Sequence, residues 1–154
     1  MKEVLTYSTH CGHVHSFTRS DHDNTEAVQT IYAAFMRGDL PTILTMVSET
    51  VSWDNSQVES RECPWNGDFS GRSRLPGFFK AVGDNFAFST FDPRTFVASG
   101  NHVVALLRLE STLIKNGRPL LNDSVHVWSF DDDGLVASYR HFNDTAQELA
   151  AWRA

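Results

Sequence analysis

Two histidines in the last third of the chain have the type and spacing for acid–base chemistry. A β-strand places alternate residues on one face, so His126 and Trp128 would project together, as would Tyr139, His141 and Asn143 from a following strand. Imidazole titrates near neutral pH and can therefore accept or donate a proton there. If the two rings lie within about 6 Å, protonation of one lowers the pKa of the other, which separates their roles.

Helices are predicted before the strands that carry these side chains. Asp23 and Glu26 have capping-box spacing, and the apolar stripe of the helix that they begin ends at Gly38. Asp39 can cap a second short helix, and Ser73 can cap a third. The sequence therefore opens with helical elements.

A meander of strands follows the third helix. Asn-Gly and Asp-Gly pairs at 116–117 and 133–134 lie between alternating runs and are typical of hairpin turns. Asp144 or Thr145 then caps a last helix, with Glu148 at capping-box spacing from Thr145. The predicted strands of the meander span residues 86–91, 95–98, 102–114, 120–130 and 135–142, and a short first strand is predicted at 51–56, before the third helix, from the alternation of Val51, Trp53 and Asn55 with polar residues.

Helices followed by antiparallel strands predict an α+β fold, with the helices on one face of a curved antiparallel sheet. A strongly bent sheet closed by helices forms a cone, and its open end suits an apolar cavity. Aromatic residues make up 12% of the chain, which favours such a pocket. Residues 57–71 read as a loop that carries Trp65, and we expect this loop to cover something.

Length and charge bear on the class of protein and on its partners. The 154 residues and formal net charge of −6 fit one domain, residues 23–154, after a polar leader, 1–22, that is expected to be flexible. The acidic chain has no basic cluster for nucleic acid, and no apolar run approaches the roughly 20 residues of a membrane span. Without a signal-peptide pattern, we expect a cytoplasmic protein.

The leader contains a cluster of possible metal ligands. His10, Cys11, His13 and His15 are of the types that bind zinc or copper. No complementary Cys/His set follows elsewhere, and a single cluster in a leader is usually solvated. The sequence therefore predicts no metal site.

The order of several short motifs resembles that of SnoaL-like polyketide cyclases and ketosteroid isomerases, which share the cystatin-like cone fold of nuclear transport factor 2. The resemblance covers about residues 23–152. It implies a pocket inside the cone, usually no metal or organic cofactor, and often a homodimer through the sheet. The motifs are Gly38-Asp39, Thr50-Val51-Ser52-Trp53, Gly71-Arg72, Phe78-Phe79, Val125-His126-Val127-Trp128, Asp133-Gly134 and residues 139–145.

The resemblance also implies roles for individual positions. His126 stands where the isomerases carry an acid that hydrogen-bonds the substrate oxyanion, and His141 stands where SnoaL-like cyclases carry an acid–base Asp. The isomerases keep a general-base Asp at the end of the first strand. Here the register favours Asn55, on the face of Trp53, whereas a one-residue slip would present Asp54 instead. An amide cannot accept a proton near neutral pH, so Asn55 would only bind.

The remaining candidates are one acid and a set of wall residues. Asp144 belongs to an Asp-Thr pair that follows the last strand in many relatives, where it either caps the helix or takes part in catalysis. The substrate-binding wall is expected to consist of Trp53, Trp65, Trp128, Tyr139, Tyr32, Phe35, Phe79 and Asn143.

The sequence favours a cofactor-independent enzyme that moves protons on a small apolar carbonyl or polyketide-like molecule, as an isomerase, cyclase or dehydratase. A second hypothesis is a module that binds a small apolar or aromatic ligand without turnover. The absence of the general-base Asp at the end of the first strand favours this hypothesis. A third is a dimeric assembly module whose cavity is filled by its own side chains.

Overall fold

The computed structural model describes residues 20–154 of the chain, so the Cys/His cluster at 10–15 and most of the predicted leader lie outside the described residues. The helices are α1 (Asp21–Met36), α2 (Leu40–Thr45), α3 (Leu75–Asn85) and α4 (Thr145–Arg153). The strands are β1 (Val47–Ser52), β2 (Phe86–Ser99), β3 (His102–Leu113), β4 (Pro119–Phe130) and β5 (Val136–Phe142).

Two helix starts differ from the predicted ones. The capping box of α1 is formed by Ser20 and Asp23, one turn before the predicted pair, so α1 begins two residues inside the predicted leader. Asp39 caps α2 through the Thr42 N–H, as predicted. Ser73 does not cap α3, because it lies inside a 3₁₀ turn that leads directly into this helix.

The five strands form one sheet in the order β1-β5-β4-β3-β2. All neighbouring pairs are antiparallel except β1 and β5, so the prediction of a wholly antiparallel sheet was wrong at this edge. The crossover through α3 and the meander brings β5 back alongside β1 in the same direction, which makes that pair parallel.

The sheet curves at irregularities in the strand pairing. The predicted break at Asp92-Pro93 is instead a register shift between Pro93 and Thr95 inside the continuous strand β2. β2 is an edge strand, where a proline without an N–H is tolerated, and such bulges bend a strand. This curvature produces the concave face on which the helices lie.

Helix α1 packs on the concave face and closes the cone from inside. Its residues Val28, Ile31 and Ala34 are at most 2% exposed, and the helix lies against β2 and β3. The α+β cone predicted from the sequence is confirmed. In residues 20–154, no helix is both long enough and apolar enough to cross a membrane.

Candidate active site

A cavity lies between α1, α3 and the concave face of the sheet, with an empty volume of about 860 Å³ that includes its open mouth. Its wall is mainly aromatic, and the rings of Trp53 and Tyr139 stack in it with centroids 4.1 Å apart. The predicted site residues in the wall are Tyr32, Phe35, Trp53, Asn55, Trp65, Phe79, His126, Trp128, Tyr139, His141 and Asn143.

The two histidines face each other across neighbouring strands. The antiparallel register of β4 and β5 pairs His126 directly with His141, and both rings belong to the cavity wall. Their centroids are 4.7 Å apart with the ring planes at 83°. At that separation one imidazole cannot be protonated without disfavouring a proton on the other.

Tyr32 on α1 fixes the orientation of His126. The Trp128 Nε1–H donates to Tyr32 Oη at 3.1 Å, and Tyr32 Oη lies 2.9 Å from His126 Nδ1. Indole N–H is only a donor, so the tyrosine oxygen accepts there. Tyr32 donates to Nδ1 when the His126 hydrogen is on Nε2, and the opposite tautomer would make Nδ1 the donor to Tyr32.

Burial shifts the acid–base behaviour of these groups. It lowers the pKa of His126 well below its ordinary value, and the nearby His141 lowers it further. Burial also lowers the pKa of His141, but the charge of Glu148 opposes this shift. For Tyr32 and Tyr139 burial raises the hydroxyl pKa, so both phenols stay neutral. Both imidazoles are thus neutral at pH 7.

The end of β1 presents an amide to the cavity, and the strand-one carboxylate points elsewhere. Asn55 is 5% exposed and lines the cavity, on the same side as Trp53. Asp54 lies outside the cavity, where its side chain accepts from the Ser56 N–H at 2.8 Å. The register that favoured Asn55 was therefore correct. The alternative, Asp54 as a catalytic residue, was wrong, because the alternating backbone turns its side chain to the other face.

The second corrected candidate is Asp144. It is exposed and caps α4 by accepting from the Gln147 N–H at 3.0 Å, so its carboxylate is used at the helix end and does not line the cavity. The predicted capping box between Thr145 and Glu148 is also wrong, because the Glu148 side chain points into the cavity wall instead.

Glu148 is a buried carboxylate that sequence reasoning missed. It is 2% exposed and accepts four hydrogen bonds, two of which come from Trp65 Nε1 at 2.8 Å and Asn143 Nδ2 at 3.0 Å. Ser60 Oγ and Asn66 Nδ2 donate the others, each at 2.8 Å. Amide and indole N–H groups can only donate, so the arrangement suits an ionised carboxylate.

These bonds explain why the loop at 57–71 carries a tryptophan. Through Glu148, the loop side chains of Ser60, Trp65 and Asn66 are tied to α4, and Trp65 and Asn66 become part of the cavity wall. The expectation that this loop covers something agrees with its position.

Several polar atoms in the wall have no hydrogen-bond partner among the described residues. They include Asn55 Oδ1, Asn122 Oδ1, Ser124 Oγ and His141 Nε2, all buried, together with Trp53 Nε1. Buried polar atoms are nearly always paired in proteins, so this concentration in one cavity is unusual. The β4 pattern held the missed signal, because Asn122 and Ser124 alternate on the face of His126.

The fold and the cavity place the chain in a known family. The SnoaL-like domain family matches residues 28–139, and the chain belongs to that family. No functionally curated protein matches the chain significantly.

Solved structures of similar proteins share the nuclear-transport-factor-2-like (NTF2-like) cone. One is an NTF2-like protein of unknown function from Burkholderia pseudomallei, 27% identical, with 88% of this chain and 99% of that chain covered and a TM-score of 0.76. TerC, co-crystallised with polyporic acid, is 24% identical over 88% of this chain and 100% of its own, with a TM-score of 0.74. SalBIII, an epoxide hydrolase/cyclase-like enzyme in pyran ring formation in salinomycin, is 20% identical over 83% and 95%, with a TM-score of 0.66.

Proposed function

We propose that this protein is an enzyme that moves protons on a small, neutral, largely apolar carbonyl compound, as an isomerase, cyclase or dehydratase. The observation that carries the proposal is the pair of cavity-lining imidazoles, His126 and His141, whose ring centroids are 4.7 Å apart in an aromatic cavity. Membership of the SnoaL-like family and the epoxide hydrolase/cyclase-like enzyme among similar structures support it.

The chemistry is a proton transfer next to a carbonyl group. One imidazole takes a proton from the carbon beside the carbonyl. The electron pair of that C–H bond forms a C=C bond, and the π pair of the carbonyl group moves onto its oxygen. The other imidazole donates its N–H to the resulting enolate oxygen, in a site where burial strengthens such hydrogen bonds. In an unsaturated ketone the dienolate takes the proton back at its γ-carbon, which moves the double bond and isomerises the substrate. In a β-hydroxy ketone the proton goes to the hydroxyl group while the carbonyl re-forms, a C=C bond forms and the C–O bond breaks, so that water leaves.

The charge of the wall favours a neutral substrate. Among the lining residues that the structure describes, Glu148 is the only Asp, Glu, Lys or Arg, and its carboxylate is already fully hydrogen-bonded. An anionic substrate would be repelled by that charge and would find no cation in the described wall. Unpaired wall atoms such as Asn122 Oδ1 suit a ligand that carries hydroxyl groups.

The test uses 2-tetralone, a neutral bicyclic ketone with acidic protons beside its carbonyl. Exchange of these protons for deuterium is followed by NMR in D₂O with wild type and with His126→Gln and His141→Gln. Loss of either ring should slow exchange by about 10²-fold or more. His102→Gln is the control, because His102 is an exposed histidine outside the cavity.

The second candidate, a module that binds without turnover, is favoured by Asn55 standing where a carboxylate base would be needed. Binding is measured separately, by quenching of the wall tryptophans Trp53, Trp65 and Trp128. Saturable quenching without faster exchange would favour the binding module and contradict the enzyme.

We also propose that the protein forms a homodimer through the sheet and is located in the cytoplasm. Leu106 on β3 and Phe142 on β5 are 42% and 50% exposed and lie on the face of the sheet opposite the cavity. Pairing of two such faces would bury these apolar side chains.

A further inference from the structure

The two members of the His126–His141 pair are the same residue type, but His126 is buried, His141 is half-buried, and their surroundings differ. Tyr139 and His141 on β5 and Asn143, the residue directly after this strand, line the cavity in that order. Asn143 donates to Glu148, whereas His126 on β4 is held by Tyr32 at the other side of the pair. The carboxylate is therefore hydrogen-bonded to the chain segment that directly follows His141.

We infer that Glu148 makes His141 the proton acceptor of the pair and leaves His126 as the neutral hydrogen-bond donor. This assignment rests on the proposed function for its catalytic meaning. Glu148 is a positioning residue in it, because its four hydrogen bonds leave no oxygen free for a substrate.

Every titratable group in the described part of the wall agrees with this assignment. The neutral phenols Tyr32 and Tyr139 carry no charge that could stabilise an imidazolium, and α3 contributes no ionisable side chain to the wall. Glu148 is therefore the counter-charge for a protonated ring, and it opposes the loss of basicity that burial imposes on His141.

The hydrogen-bond network fits the same assignment. In this assignment Tyr32 donates its hydroxyl hydrogen to Nδ1 of His126, and the hydrogen of that ring is on Nε2, ready to be donated. His141 makes no hydrogen bond with any described residue, so no partner competes for its lone pair.

The experiment is a ¹⁵N NMR titration of the ring nitrogens in the ligand-free protein. In wild type, His141 should take up the first proton as the pH falls, while His126 stays neutral. In Glu148→Gln the proton affinity of His141 should fall by about tenfold, the order of magnitude expected for removing a nearby unit charge at an effective dielectric constant near 20. Glu148→Asp keeps the charge and should restore the order.

Glu62→Gln is the matched control. Glu62 forms an exposed ion pair with Arg153, which is on α4 as Glu148 is, so this substitution should leave both titrations unchanged. The assignment would be overturned if His126 took up the first proton, or if the protein unfolded in acid with both rings still neutral. Both outcomes are read from wild type, so the test does not depend on whether a variant folds. The titration uses no ligand, so its result is independent of the 2-tetralone assay.

Discussion

Replacing Tyr32 by Phe removes one hydroxyl group and keeps the ring, so it tests whether this oxygen joins α1 to the sheet. In the native protein the oxygen accepts from Trp128 Nε1–H at 3.1 Å and forms a hydrogen bond with His126 Nδ1 at 2.9 Å. Both partners are buried, at 2% and 5% exposure, and would be left without a partner inside the cavity wall.

The loss is expected to be about 2–4 kcal/mol, since a hydrogen bond contributes about 1 kcal/mol net and an unsatisfied buried group costs about 1–3. For a chain of this length that corresponds to a decrease in Tm of about 5–12 °C. Urea unfolding followed by tryptophan fluorescence measures the free energy of unfolding directly.

Tyr139→Phe is the control for this experiment. Tyr139 is buried in the same wall, at 5% exposure, but its hydroxyl makes no hydrogen bond with a described residue. We expect Tyr139→Phe to change the free energy of unfolding by less than about 0.5 kcal/mol, as for substitutions that remove no specific interaction. Equal destabilisation of the two variants, or an unchanged Tyr32→Phe protein, would refute the hydrogen-bonded link.

Three further predictions concern other groups. Because burial lowers the folded-state pKa of His126 and His141, the unfolded chain takes up protons that the folded chain does not. Urea titrations should therefore show the full free energy of unfolding above about pH 6.5. Below that pH, each ring should lower the free energy of unfolding by up to about 1.4 kcal/mol per pH unit. A free energy of unfolding that stays constant from pH 8 to 5 would contradict this prediction. Burial raises the pKa of the Cys63 thiol to about 12. In a Cys11→Ser variant, which leaves Cys63 as the thiol to be measured, a thiol-specific disulfide reagent should therefore label the protein only when it unfolds. Rapid labelling of the native protein would contradict this prediction. Leu106→Glu should convert the proposed dimer into monomers in light scattering, whereas a dimer that persists would place the interface elsewhere.

The candidate site was predictable where it depends on strand periodicity. Residues that alternate along one strand share a face whatever the rest of the chain does, so His126 with Trp128, and Tyr139 with His141, were placed together correctly. The same reasoning favoured Asn55 over Asp54.

What the sequence did not reveal depends on contacts between distant segments. The donors to Glu148 include Trp65 and Ser60, more than 80 residues away, and capping-box spacing offered this carboxylate a plausible local role. The parallel β1–β5 pair also depends on where the chain returns after a long crossover, which no local pattern encodes. The hint that the sequence offered was the spacing of Glu148 and Ala151, which lie one helical turn apart and therefore share the face of α4 that is buried.

The most direct test of the account is the rate of deuterium exchange into 2-tetralone at pH 7, compared between wild type and His141→Gln with binding confirmed in both. The account predicts that wild type accelerates exchange and that the variant loses about 10²-fold or more of that rate while still binding the ketone. Equal rates in the two proteins would contradict it.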